Sequence, residues 1–146
     1  MSNDFDLSAF IPFRLNRISE QVSLGFAKIY KEQFGLTRPE WRTLANLGQF
    51  GRLTAGEICL HSTQHKTKVS RAVAGLEKRK WLSRFEKPDD RREEWLERTK
   101  AGQQAFVDIS ALGYSYQDRL MKSVGPKERD AILKALDILE EVATIR

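Results

Sequence analysis

Apolar residues recur at spacings of three and four along most of the chain, which is the periodicity of amphipathic helices. The first such stretch runs from about Ser8 to Gln33, with Pro12 in its first turn, where proline is tolerated. Its apolar stripe consists of Ile11, Leu15, Ile18, Val22, Phe26 and Ile29. The last stretch begins at Pro126. Its apolar face consists of Ile132, Leu136, Leu139 and Val142. The pattern therefore predicts helices at both ends of the chain.

Between these helices the sequence contains two capping boxes, in which a threonine is followed three residues later by a glutamate. The first box, Thr37–Glu40, opens a helix that Gly51 ends. The second box, Thr54–Glu57, opens a short helix that ends near His61. Two short helices with a tight connection are therefore predicted in this part of the chain.

A third short helix is predicted from Gln64 to Arg79, with Thr63 as its cap. Its inner face consists of Val69, Ala72, Val73 and Leu76. Its outer face carries hydroxyl groups and cations, on Lys66, Thr67, Lys68, Ser70, Arg71 and Ala74. Such side chains can hydrogen-bond base edges and phosphates in the major groove. Together with the helix before it, this segment predicts a helix-turn-helix unit.

After Trp81 the helical period gives way to alternation, which indicates strands. The segment "LSRFEK" predicts one strand, "PDDRRE" a turn and "EWLE" the returning strand. A helix-turn-helix followed by a hairpin is a winged helix. In this arrangement the third short helix is the recognition helix, which enters the major groove. Arg91 and Arg92 in the predicted turn can enter the adjacent minor groove, where the potential is negative. Thr99 then caps a long helix, which Gly125 interrupts.

The predicted fold class is mostly α (α+β), a winged helix-turn-helix with a two-stranded wing and helices at both ends. The winged helix-turn-helix is expected at residues 37–98. The terminal regions, 1–36 and 99–146, are too apolar on one face to be covered by a small winged helix, so we expect them to form a helical dimerisation region.

Composition narrows the choice of partner. Between His65 and Lys100 there are twelve lysines or arginines and seven acidic residues, so this segment carries the whole formal net charge of +5. Such a local excess is typical of nucleic-acid binding. A single cysteine excludes an intrachain disulfide. No apolar run approaches the roughly 18 residues of a membrane span, and the N-terminus is acidic, so we expect a cytoplasmic protein without a membrane partner.

Three segments, "LTRPEWRTLANLGQFGRLTAGEIC", "KTKVSRAVAGLEKRKWL" and "KPDDRREEWLERTKAGQQ", resemble the MarR (multiple antibiotic resistance regulator) family of winged-helix transcription regulators. The strongest signals are "VSR" in the recognition helix and "PDDRR" in the wing. The resemblance implies a homodimer that binds a pseudo-palindromic double-stranded DNA operator. It also implies a repressor that is released by a small aromatic or phenolic effector.

The resemblance further implies roles for single residues. Arg92 matches the arginine at the wing tip that reaches the minor groove. Asp90 matches the acidic residue that orients the wing, and we expect it to pair with Arg92, Arg71 or Arg84. Lys80 departs from the pattern, because a glycine is usual at this position and would supply a left-handed turn without strain.

The sequence also allows other functions for single residues and for the whole chain. Cys59 is a redox switch in one alternative and a buried small hydrophobe in the other. His61 and His65 have a metal-like spacing, but the predicted turn between them separates their faces, so no metal and no cofactor is expected. No phosphate loop, nucleophile elbow or zinc-protease motif occurs, so an enzyme is not expected. A helical module that binds a protein instead of DNA is the remaining alternative.

An effector pocket, if the chain has one, is expected where the first and long helices meet the DNA-binding module. The candidate lining residues are Phe13, Arg14, Arg17, Trp41 and Tyr114. The alternative is that these aromatic residues belong to the core.

Overall fold

Six α-helices and one antiparallel hairpin make up the part of the chain that the structure, a computed structural model, describes: residues 4–144. After a short 3₁₀ turn at Leu7–Ala9, the elements in order are α1 (Ile11–Phe34), α2 (Arg38–Phe50), α3 (Ala55–Ser62), α4 (Lys66–Lys78), β1 (Leu82–Glu86), β2 (Glu94–Arg98), α5 (Lys100–Lys122) and α6 (Pro126–Thr144). The order of helices and strands confirms the predicted mostly helical fold with a winged helix-turn-helix.

Both predicted capping boxes are present. The hydroxyl of Thr37 accepts a hydrogen bond from the backbone N–H of Glu40 at 3.2 Å, and the Glu40 carboxylate accepts one from the backbone of Thr37 at 3.0 Å. Thr54 and Glu57 repeat this exchange at the start of α3, at 3.2 and 3.3 Å. These bonds satisfy N–H groups that the helices themselves leave unpaired, and so they fix where α2 and α3 begin.

The predicted start of the third short helix is wrong. Thr63 does not cap α4 but ends α3, in a left-handed conformation with φ 52°, and its backbone N–H donates to the carbonyl of Cys59. The residue before α4 is His65, whose Nδ1 accepts a hydrogen bond from the backbone N–H of Thr67 at 3.5 Å. The helix therefore runs from Lys66 to Lys78 rather than from Gln64 to Arg79, because the turn between α3 and α4 takes up two further residues.

The core lies between α2, α3, α4, the hairpin and the ends of α1 and α5 that face them. Its fully buried members include Leu44, Leu47, Ile58, Val69, Leu76, Leu96 and Ile109. From α1 only Ala27 and Tyr30 are buried, both in its second half. The predicted stripe on the first half of α1 is exposed in the single chain. Its exposed members are Ile11, Leu15, Ile18 and Val22.

The hairpin pairs Leu82 with Arg98 at its base and Glu86 with Glu94 near its turn. A third segment joins it: Leu53, between α2 and α3, exchanges two backbone hydrogen bonds with Leu96 at 3.0 and 2.8 Å. Strand β2 therefore has hydrogen-bonded neighbours on both sides at Leu96, which anchors the wing to the helix-turn-helix. No pattern in the sequence predicts this bridge.

Two arginines close the C-terminal ends of helices. The guanidinium of Arg79 donates to the carbonyls of Phe34 and Gly35, each at 2.8 Å, where α1 ends in a left-handed glycine. Arg98 donates to the carbonyl of Leu47 at 2.8 Å, near the end of α2. Arg79 satisfies a carbonyl oxygen that α1 leaves without an N–H partner, whereas the Leu47 carbonyl also accepts from the backbone N–H of Gly51 at 2.9 Å. Each arginine ties a helix to the wing or to the segment that leads into it.

The chain divides into two compact units, with the boundary inside α5 after Leu112. The first unit contains α1 to α4, the hairpin and the start of α5. The second unit contains the end of α5 and α6, and Arg129 holds the turn between them by donating to the carbonyls of Met121 and Val124. Among the helices of residues 4–144, none combines the length and the apolar character that crossing a membrane requires.

Candidate nucleic-acid interface

Helix α4 separates its two faces as the sequence predicts. Val69, Ala72, Val73 and Leu76 are buried in the core. The side chains predicted to contact DNA are all exposed on the same helix: Lys66, Thr67, Lys68, Ser70 and Arg71. An outer face of hydroxyl and cationic groups on a short, well-anchored helix has the chemistry needed to read base edges and to hold phosphates.

The wing and the recognition helix border one groove of about 560 Å³. Lys66 and Ser70 line it from α4, while Arg91 and Arg92 line it from the turn of the hairpin. Both arginines are exposed. The structure therefore brings the predicted wing residues next to two of the predicted recognition-helix residues, in a groove that Glu93 and Glu94 also line.

Asp90 organises the turn of the wing through the backbone. Its carboxylate accepts a hydrogen bond from the backbone N–H of Arg92 at 2.9 Å. Its own N–H donates to the carbonyl of Lys87 at 3.1 Å, and its carbonyl accepts from Glu93 at 3.3 Å. The expected pairing of Asp90 with the guanidinium of Arg92, Arg71 or Arg84 is not found among the described residues.

Arg84 has other partners, which explains why it does not pair with Asp90. It donates to the carboxylate of Glu77 on α4 at 3.1 Å and to that of Glu94 on β2 at 3.3 Å. Arg84 and Glu94 are diagonal neighbours across the hairpin, since Arg84 lies opposite Leu96. Arg84 thereby links the wing to the recognition helix. The contact between Arg84 and Glu94 depends on the register of the hairpin, which the sequence does not give.

The remaining chemically active side chains fit into the same region. Cys59 is half-buried, packs against the core and lines the groove. His61 stacks on the ring of Phe50 with centroids 4.6 Å apart, whereas His65 precedes α4. The two histidines belong to different elements. Within residues 4–144 there is no group of three side chains suited to hold a metal ion.

The candidate effector residues fall into separate surroundings. The guanidinium of Arg17 lies over the ring of Phe13, 5.6 Å from its centroid, on the exposed part of α1. Arg14 is exposed on the same helix. Tyr114 is exposed and belongs to the second compact unit.

Trp41 lies in an aromatic cluster of the first unit. Its ring is 5.7 Å from that of Phe26, 6.0 Å from that of Tyr30 and 6.3 Å from that of Phe106. Burial raises the pKa of Tyr30, and the nearby cations Arg38 and Arg42 only partly offset this effect. The cluster joins α1, α2 and α5 into the base that carries the helix-turn-helix.

A family profile and several solved structures are similar to this chain. A sequence profile of the MarR family matches residues 34–93, which include α2, α3, α4, β1 and the turn of the wing. No curated protein matches the chain. The fold is similar to that of a MarR-family transcriptional regulator from Silicibacter pomeroyi, with 25% identity, a TM-score of 0.76, and coverage of 97% of this chain and 93% of the other.

Two further solved structures have the same fold. The transcriptional regulator PA4135 is 23% identical, with a TM-score of 0.82, over 94% of this chain and 98% of that one. NadR, in complex with 4-hydroxyphenylacetate, is 21% identical, with a TM-score of 0.78, over 100% and 99% of the two chains. Residues 34–93, which include the recognition helix and the turn of the wing, match the MarR family profile, and the fold of the chain is that of MarR-family transcription regulators.

Proposed function

We propose that this protein is a homodimeric repressor that binds a pseudo-palindromic DNA operator through α4 and the wing. The observation that carries the proposal is the shared groove, in which Lys66 and Ser70 face the same space as Arg91 and Arg92. A helix of suitable width for the major groove and arginines suited to the adjacent minor groove then bind neighbouring parts of one duplex.

The proposed dimer rests on apolar side chains that the single chain leaves in solvent. On α1 they are Ile11, Leu15, Ile18 and Val22, and on α6 they are Ile132, Leu133, Leu136, Ile138 and Val142. Rows of apolar residues at helical spacing are costly to leave in water and are typical of protein interfaces. We assign the dimerisation region to residues 1–36 and 99–146, with the DNA-binding domain at 37–98.

We also propose that a small aromatic acid releases the protein from its operator. NadR, a neighbour in fold, was solved with 4-hydroxyphenylacetate, an aromatic acid. Within the first unit, Arg17 over the ring of Phe13 offers a cation beside an aromatic face, and Arg14 lies on the same helix. Trp41, in the aromatic cluster of the same unit, is the candidate ring on α2. Such groups suit the carboxylate and the ring of an aromatic acid.

The test starts from genomic DNA that is captured by the protein and sequenced, which identifies the operator. Footprinting should then show two half-sites whose centres lie about 10 base pairs apart, and sedimentation should show a dimer. A monomer at micromolar concentration together with a footprint over a single half-site would contradict the proposal. Addition of 4-hydroxyphenylacetate to the bound complex tests whether an aromatic acid lowers the affinity.

A further inference from the structure

A second cavity, of about 440 Å³, lies between α1, α2 and the start of α4 in the first unit. Four of its lining residues are basic: Arg38, Arg42, His65 and Lys68. A single acidic residue, Glu20, lines it as well. Apart from Lys68, none of these residues belongs to the DNA-binding or effector residues considered above, so the cavity is distinct from the groove beside the wing.

The ion pairs leave two cations of the cavity uncompensated. Arg38 is neutralised by Glu20, since its Nη1 lies 2.9 Å from the carboxylate. The guanidinium of Arg42 and the ammonium of Lys68 form no salt bridge with any residue between 4 and 144. Two neighbouring cations without an acidic partner repel each other, and an anion placed between them relieves that repulsion.

The start of α4 adds to the positive potential of the cavity. Nδ1 of His65 accepts the N–H of Thr67, and among residues 4–144 Nε2 has no hydrogen-bond partner, so it is available to a ligand. The first turn of α4 has no acidic residue, and the N-terminus of a helix carries a partial positive charge. Arg42, His65 and Lys68 therefore surround a space toward which three separate elements direct positive charge or N–H donors.

We propose that this cavity binds a phosphate-type oxyanion between Arg42, Lys68 and His65. A planar guanidinium can donate two parallel hydrogen bonds to such a group, and an ammonium adds a third donor from another direction. The anion is either a phosphodiester of the DNA backbone or a free phosphate. The DNA source rests on the proposed function, whereas the free phosphate does not. Because Lys68 belongs to α4 and His65 is the residue before it, the anion in either case helps to hold the recognition helix.

The experiment compares the wild-type protein with Arg42→Gln. Lys28→Gln, which removes an exposed cation of α1 outside the cavity, is the charge-matched control. Each protein is heated with inorganic phosphate or with chloride at equal ionic strength, and each is titrated with a random-sequence duplex at several salt concentrations. If the site takes a DNA phosphate, Arg42→Gln lowers the slope of log K against log salt by about 0.9, and Lys28→Gln does not.

If the site takes free phosphate, phosphate raises the melting temperature of the wild type and of Lys28→Gln more than chloride does. Arg42→Gln then loses this shift, while its slope with DNA stays unchanged. Arg42→Lys, which keeps the charge, should recover part of either effect and shows that the loss is not a folding defect. The proposal is overturned if Arg42→Gln matches the control in both measurements. A wild type that binds no DNA at all would instead count against the proposed function.

Discussion

Lys80 adopts a backbone conformation that favours glycine, with φ 64°. A β-carbon in this region costs roughly 1–2 kcal/mol, because it approaches the following carbonyl oxygen. The position lies two residues after the end of α4, and its carbonyl accepts a hydrogen bond from the hydroxyl of Thr99 at 2.7 Å. The helix-to-wing connection therefore holds this conformation in spite of its cost.

The first prediction concerns Lys80→Gly, which removes the strain but makes the unfolded chain more flexible. We expect the free energy of unfolding to rise by about 0.5–1 kcal/mol. Lys78→Gly, inside the helix and two residues earlier, should lower it by about as much. Urea unfolding of both variants is the measurement. Destabilisation by both substitutions would show that Lys80 carries no strain.

Gly75 lies inside the recognition helix, where glycine has a low propensity, and the structure gives the reason for it. A β-carbon at this position would clash with the carboxylate of Glu40. That carboxylate is occupied twice, as it accepts the capping-box hydrogen bond from Thr37 and lies 3.8 Å from Arg79. Glycine at this position leaves room for the cap of α2.

The second prediction is a double-mutant cycle on this contact. Gly75→Ala should destabilise the wild type, because Glu40 must leave its cap, and the loss of such a cap costs about 1 kcal/mol. In a protein that already carries Glu40→Ala, Gly75→Ala should raise the free energy of unfolding by about 0.5–1 kcal/mol, because alanine has a higher helix propensity than glycine. The measurement is the change in the free energy of unfolding caused by Gly75→Ala in each of the two backgrounds. Equal effects in both backgrounds would remove the steric explanation.

At the scale of elements, the recognition helix should divide its work between reading bases and holding phosphates. The third prediction is that Arg71→Ala costs about 1–3 kcal/mol on the operator and relaxes specificity at one position. Lys68→Ala should weaken operator and random DNA alike. Fluorescence anisotropy on both duplexes separates these outcomes. If Arg71→Ala lowers the affinity for the operator and for random DNA equally, this arginine contacts phosphates and does not read bases.

The fourth prediction concerns the wing, where Asp90 holds the turn by accepting the backbone N–H of Arg92. Asp90→Ala should weaken binding to the operator although it makes the protein more positive, because the turn loses a hydrogen bond worth about 1 kcal/mol. Arg92→Ala should weaken binding and lower the salt slope by up to about 0.9. Anisotropy at two salt concentrations compares the variants. Tighter operator binding by Asp90→Ala would mean that charge attraction outweighs the order of the wing.

Local signals account for the elements that were predicted correctly. The capping boxes at Thr37 and Thr54 and the inner face of α4 are set by neighbours within one or two turns, so they can be read from the sequence. Thr63 was misassigned, because threonine is a favourable cap and its left-handed conformation depends on how α3 and α4 pack. The bridge from Leu53 to Leu96 and the contacts of Arg79 join segments more than forty residues apart, and no local pattern encodes them.

At the scale of the whole molecule, the exposed stripe on α1 is the feature that the single chain leaves unexplained. Ile18 is 50% exposed within it. A charged substitution at such a position does not disturb the core of one chain, but it places a charge in any interface that covers the stripe.

The fifth prediction is that Ile18→Glu gives a folded protein that sediments as a monomer. Its binding to a two-half-site operator should fall by at least about 2 kcal/mol, since the second half-site is no longer bound in the same event. Lys28→Glu, an exposed charge change on the same helix, is the control. Circular dichroism checks the fold, sedimentation measures the oligomeric state, and fluorescence anisotropy measures the affinity for the operator. A dimer that survives Ile18→Glu would place the interface elsewhere.

The bridge between Leu53 and Leu96 also bears on how the protein avoids aggregation. A strand with an open edge is a template for pairing with other chains. At Leu96, the buried centre of β2, both sides already have backbone partners, so the most apolar part of the wing is closed to such pairing. Of the two strands described, β1 has the outer edge, and it carries the charges of Arg84 and Glu86, which oppose the addition of another strand. Both edges of the small sheet are thus protected against the addition of a further strand.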